Sequence, residues 1–176
     1  MSKILATQLN GLYQKIVQNE EDSIEQTARL LAQASVGEGN VYFACFDELQ
    51  AIELYALNSE KQPFSKLSKW TPDVEIQEAD RVLIFAKSAQ HPEALQLAKK
   101  LYDEFIPFAV VAGEAASDDN EMSNLAYTYI STHVRGGLIP HPTKLGERVV
   151  VPHLHAALFV YEAIKLVYDE ILEDEM

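Results

Sequence analysis

Ser88, Gln90 and His91 lie in the run Arg81-Val82-Leu83-Ile84-Phe85-Ala86-Lys87-Ser88-Ala89-Gln90-His91-Pro92-Glu93, where an apolar stretch gives way to short polar side chains. A helical pattern, Ala94, Leu95, Leu97, Ala98 and Leu101, starts at once. A strand that turns straight into a helix aims free backbone N–H groups at one point. The helix N-terminus adds partial positive charge, so such a turn can receive an anion. Ser88 and Gln90 can add side-chain donors, and Pro92 suits the first helical turn. A plainer use of the same residues is capping, with Ser88 or His91 closing the helix start.

Histidine offers a second kind of chemistry. His153 and His155 open the last helical segment, with His133 and His141 upstream. Two histidines at i and i+2 do not share a helix face, whereas metal-ligating pairs are usually spaced i, i+4, so no metal is expected. His153 shares a stripe with Ala157, Val160 and Ile164, which leaves His155 as the better functional candidate. Arg135 and Lys144, flanking Gly136-Gly137, and Lys87 beside Ser88 are basic groups that can clamp an anion or simply face solvent. Cys45, the one cysteine, sits in an apolar run and reads as a small core residue.

These residues need elements to position them. Ile4, Leu5, Leu9, Leu12 and Ile16 recur at helical spacing, and Asn19 to Asp22 break the pattern. Ser23 followed by Gln26 resembles a capping box for a second helix to about Ala34. Val41 to Phe46 reads as a buried strand after the Gly37-Glu38-Gly39-Asn40 turn, with a helix over about Glu48 to Leu57. Ser59 to Asp73 is irregular. Arg81 to Ala86, Pro107 to Ala112 and Tyr127 to Ile130 are further strands, with a helix reaching about Phe105 after the first of them. Val149 to Val151 supplies a short fifth strand, and a largely buried helix runs from Pro152 or His153 to about Leu172.

Unbroken apolar strands alternating with helices predict an α/β fold: three layers, α/β/α, around a mostly parallel sheet of about five strands. The whole chain, 1–176, reads as one domain, with N-terminal helices over about 3–34, sheet and helices over about 40–151 and the C-terminal helix over about 152–172. Ligands of open parallel sheets bind beyond the carboxyl ends of the strands. That edge holds Ser88, Gln90 and His91, with Asp47 and Glu48 after the first strand and Ser131, Thr132 and His133 after the fourth.

The net charge of −13 argues against nucleic-acid or anionic-membrane partners, whose phosphates would be repelled. No stretch reaches the ~18 apolar residues of a membrane span. The start, Met1-Ser2-Lys3-Ile4-Leu5-Ala6, lacks the apolar centre of a signal peptide, so a cytoplasmic protein is expected.

Two leading helices followed by strand–helix units, with Ser-Ala-Gln-His-Pro-Glu-Ala-Leu after the second strand, resemble the sugar isomerase (SIS) domain. The phosphoheptose isomerases of that family carry Ser-Gly-Asn-Ser-Pro-x-x-Leu at this place. Ser88, Pro92 and Leu95 match directly, while Ala89, Gln90 and His91 replace Gly, Asn and Ser. The chain also resembles a small family of SIS-like proteins from Gram-positive bacteria. The resemblance implies a sugar phosphate as ligand, phosphate contacts from Ser88, Ala89, Gln90 and His91, no cofactor, and self-association as a homodimer or larger oligomer. It further implies a base and an acid for moving a carbonyl between C1 and C2. Glu53 stands for the family's Glu, and His155 is the candidate partner. Two features depart from the pattern. Asp47-Glu48 replaces a Gly/Ser turn, and Val160 falls where the family has its catalytic His. A sugar-phosphate isomerase with an incomplete site and a non-catalytic phosphosugar-sensing or assembly module are therefore both open.

Overall fold

The computed structural model describes residues 1–175. One helix, α1 (Ser2–Val36), takes the place of the two expected N-terminal helices. The polar run Asn19 to Asp22 does not break it, because the buried stripe Leu12, Ile16, Ile24, Ala28 and Leu31 continues in register on both sides. Tertiary burial of that stripe outweighs the weak helix propensity of Asn and Asp.

β1 (Val41–Cys45), a 3₁₀ turn (Asp47–Leu49) and α2 (Gln50–Asn58) follow, then a two-residue strand β2 (Leu67–Ser68). After β3 (Arg81–Phe85) come α3 (Pro92–Asp103), β4 (Phe108–Ala112), α4 (Glu121–Leu125) and β5 (Thr128–Ser131). β6 (Ile139–Pro140) and β7 (Arg148–Val149) make a small ribbon before α5 (His153–Asp174).

The central sheet has the order β2-β1-β3-β4-β5 and every pair in it is parallel. Its five strands are not the five expected. Leu67–Ser68, from the irregular segment, forms the edge beside β1, whereas Val149 pairs antiparallel with Ile139 outside the sheet. Val149, Val150 and Val151 are all exposed, so this valine run has no sheet face to bury.

Strand alternation separates two cores. Val41, Phe43, Leu83, Phe85, Ala109, Val111 and Ile130 face α1, α2 and α5, while Tyr42, Ala44, Val82, Ile84, Phe108 and Val110 face α3 and α4. α1 packs along α5, with Tyr13 and Phe159 stacked at 4.6 Å, and the buried Thr27 and Thr128 hydroxyls, 2.7 Å apart, tie α1 to β5. No helix among the described residues is long and apolar enough to cross a membrane.

Candidate functional site

All strands of the central sheet point the same way, so the segments after β1, β3, β4 and β5 gather at one edge. At its centre is the turn after β3. Lys87 O accepts the Gly113 N–H at 3.2 Å, which ties this turn to the end of β4. A Cβ at Gly113 would lie 2.9 Å from Lys87 O, so the two backbones meet this closely only with glycine there.

Beyond that clamp the Ser88 hydroxyl donates to Glu114 Oε2 at 2.7 Å, and the Ala89 N–H donates to the same oxygen at 2.9 Å. Ser88 Oγ in turn accepts the Gln90 N–H at 3.1 Å. The turn thus holds an anion, and the anion is the chain's own carboxylate. Tyr129, whose hydroxyl donates to Glu114 O at 2.7 Å, fixes the backbone that delivers it. Burial, reinforced by the charges of Glu114 and Glu20, pushes that phenol up to about 12, so it remains a donor at neutral pH.

Around this turn lies a cleft of ≈ 590 Å³, lined among others by Lys87, Ser88, Glu114, His133, Arg135 and His153. Lys87 pairs with Glu48 at 3.0 Å, which raises the lysine's pKa, while the Glu48 carboxyl is lowered first by its own backbone N–H and then by Lys87. Burial, then the nearby Lys87 charge, lowers His153 against the opposing pull of Glu48 and Glu114, so its imidazole is neutral near pH 7.

The other residues singled out in the sequence lie elsewhere. His91 caps α3, accepting the Ala94 N–H on Nδ1 at 3.3 Å, and its Nε2 approaches Asp47 Oδ2 at 3.3 Å. Its backbone N–H is spent on Ser88 O at 3.2 Å. Asp47 takes a left-handed backbone, φ 56°, a region that Asp enters more readily than most residues. These two residues, with Gln50, Glu53 and Trp70, line a separate cleft of ≈ 420 Å³. Glu53 accepts the Trp70 N–H at 2.9 Å, and burial raises its pKa in spite of that bond. His155 is exposed on the first turn of α5 and lines neither cleft, whereas His153 enters the one at Ser88. Cys45 is buried, which pushes its thiol up and away from nucleophilic use. Among the described residues no group of three His, Cys, Asp or Glu side chains could hold a metal ion.

Sequence reasoning missed two carboxylates. Glu114 lies just beyond the strand that ends at Ala112 and drew no reading of its own. Glu20 lay in the supposed helix break, yet it stands four residues from both Ile16 and Ile24, on the buried stripe. A carboxylate at an inward position of a helix was the available signal.

A five-stranded parallel sheet covered by helices on both sides, with an anion-holding turn after β3, defines the class: this is the fold of a sugar isomerase (SIS) domain. The sugar isomerase domain of the RpiR transcription factor from Sphaerobacter thermophilus matches at TM-score 0.64 and 13% identity, over 99% of this chain and 90% of that one. Escherichia coli CFT073 c3406, solved in complex with a sugar phosphate, matches at TM-score 0.68 and 14% identity, over 97% and 89% of the two chains. The chain itself belongs to the family described as Domain of unknown function (DUF2529), whose model covers residues 1–172. Uncharacterized protein YwjG of Bacillus subtilis (strain 168) is 34% identical over 175 residues, 99% of either chain.

Proposed function

We propose that this protein binds a phosphosugar, with the phosphate seated on Ser88 and Ala89 and the sugar extending into the cleft toward His133 and His153. The observation that carries this reading is the convergence of the Ser88 hydroxyl and the Ala89 N–H on one carboxylate oxygen. Phosphate offers the same kind of acceptor with more charge, and the helix following the turn adds its dipole. The cleft volume suits a small ligand. A structural neighbour, c3406, carries a sugar phosphate on the same fold.

The contact set is narrower than the one the resemblance implied. Ser88 and Ala89 are the anion donors; Gln90 adds its side-chain amide at the exposed rim, because its N–H is used by Ser88 Oγ. His91 holds the helix start rather than the ligand. Glu53 and His155 stand outside this cleft, so chemistry on a sugar held at Ser88 falls to other groups.

The test is isothermal calorimetry with arabinose 5-phosphate, ribose 5-phosphate and glucose 6-phosphate. Wild type is expected to bind at least one of them, and Ser88→Asp, which places a fixed charge where phosphate would sit, is expected to abolish that binding. Equal binding by the two proteins would move the site away from the turn. A wild type that binds none of the three would remove the ligand class.

A further inference from the structure

A groove of ≈ 560 Å³ runs between α1 and α5 and shares no residue with either cleft described above. Its floor is apolar, with Val17 and Ile24 from α1 and Ala163, Leu166, Val167 and Ile171 from α5. Ile24 belongs to the buried core, and Ala163, Val167 and Ile171 pack against it. Leu166 and Val17 stand clear, 73% and 42% exposed, so the strip meets water along its length.

Both walls of the groove are acidic. Glu21 and Glu25 stand on the α1 side, and Glu170, Asp174 and Glu175 on the α5 side. Arg29, the one cation of the lining, is already paired with Glu25 at 2.8 Å. Among the described residues, none of Glu21, Glu170 and Asp174 is ion-paired. The last turn of α5 has no basic residue and carries Glu173 and Asp174, where the helix dipole is already negative. Within the chain this arrangement is unfavourable, and such local conflicts are expected where a surface serves a partner.

The charge selects what can cover the strip. A second copy of the chain would set the same carboxylates against one another across a two-fold axis. Anionic lipid and nucleic acid would be repelled. A cationic partner with an apolar stripe is attracted by both walls and seated on the floor. From Val17 to Arg29 the groove follows α1 for about 18 Å, roughly three turns of helix. A channel between two helices receives a third by the packing of ridges into grooves.

We propose that the α1–α5 groove docks a basic amphipathic helix of a partner protein. Its apolar side chains sit on Leu166 and Val17, and its Lys or Arg residues face Glu21, Glu170 and Asp174. The apolar stripe supplies affinity, while the carboxylates set orientation and speed association. The proposal does not depend on what binds at Ser88.

The experiment is fluorescence anisotropy with two labelled peptides of about fourteen residues, long enough as helices to fill the groove. One is an amphipathic Leu/Lys helix, and the other carries Glu in place of every Lys. Wild type should bind the Leu/Lys peptide about tenfold or more tightly than the Leu/Glu peptide, and less tightly as salt rises. Leu166→Asp is the decisive variant. It makes the protein more negative, so unspecific attraction of a cationic peptide would strengthen, whereas seating in the groove should weaken about tenfold. Glu170→Lys, also at an exposed position, should weaken binding several-fold by adding a repulsive charge. An unchanged Tm shows that both variants are folded. Binding by Leu166→Asp as tight as wild type, or tighter, overturns the proposal and leaves only bulk charge attraction. Equal binding of the two peptides, or no binding of the basic one, overturns it too. A wild-type dimer in analytical ultracentrifugation that Leu166→Asp splits would show that a second copy covers this face instead. None of these outcomes touches the phosphosugar reading.

Discussion

Glu114 does at the Ser88 turn what an incoming phosphate would have to do. Its Oε2 takes both donors of the turn, so a ligand must break two charge-assisted hydrogen bonds before it makes its own. Glu114 is exposed, which holds the strength of that contact to the modest range of solvated ion contacts. Replacing Glu114 by alanine is therefore expected to tighten sugar-phosphate binding by about tenfold, equivalent to about 1.4 kcal/mol, in the same calorimetric titration. Unchanged or weaker binding would mean that the carboxylate assists the ligand, for example by accepting a sugar hydroxyl, instead of competing with it. Ser88 and its neighbours were legible in the sequence because a strand, a polar turn and a helix-starting proline are contiguous. The carboxylates were not. Glu114 reaches Ser88 across 26 positions and Glu20 reaches Ser131 across 111, and neither separation leaves a local mark.

At the level of elements, local signals gave the long pieces and failed where packing decides. β1, β3, β4 and α5 could be placed because short apolar runs and a broad apolar helix face are local properties. α1 looked like two helices because Asn19-Glu20-Glu21-Asp22 carries weak helix formers, but the stripe running from Leu12 through Ile16 and Ile24 to Leu31 holds it as one. β2 was invisible for the opposite reason. Two residues at a sheet edge, Leu67 paired with Val41 and Ser68 with Tyr42, need no apolar run, only a neighbour with free backbone groups. The continuous helix makes a sharp prediction at Asn19. Proline there would sit comfortably at the break of a two-helix arrangement, but inside α1 it removes a backbone hydrogen bond and clashes with the preceding turn. Asn19→Pro is expected to cost about 3 kcal/mol, or roughly 6–12 °C in Tm for a domain of this size, by thermal denaturation. A loss below about 1 kcal/mol would show that α1 is in effect two helices meeting at that point.

For the molecule as a whole, the charge of −13, from 27 acidic against 14 basic residues, has to be reconciled with the anionic ligand proposed above. Long-range repulsion of the kind that excludes nucleic acid acts on a phosphosugar dianion too, and what differs is scale. A nucleic acid spans the whole surface, whereas one phosphate needs a favourable potential only within a few ångströms of Ser88. The local balance at that spot is close to even, with Lys87 offset by Glu48 and Arg135 set against Glu114. On the proposed reading, the binding energy would come from short hydrogen bonds and the α3 dipole, while the remote acidic surface would oppose approach. Screening separates the two contributions, because the Debye length is about 30 Å at 0.01 M salt and about 8 Å at 0.15 M. Raising ionic strength across that range should quench the distant repulsion, leave the contacts at Ser88 and Ala89 largely intact, and tighten sugar-phosphate binding by a few fold. Calorimetry at the two salt concentrations reads this directly, with choice of an inert monovalent salt to avoid competing anions. Affinity that falls with salt, as it does for proteins that attract phosphates through a basic surface, would show that Lys87 and Arg135 dominate the site and that the acidic shell is too remote to matter.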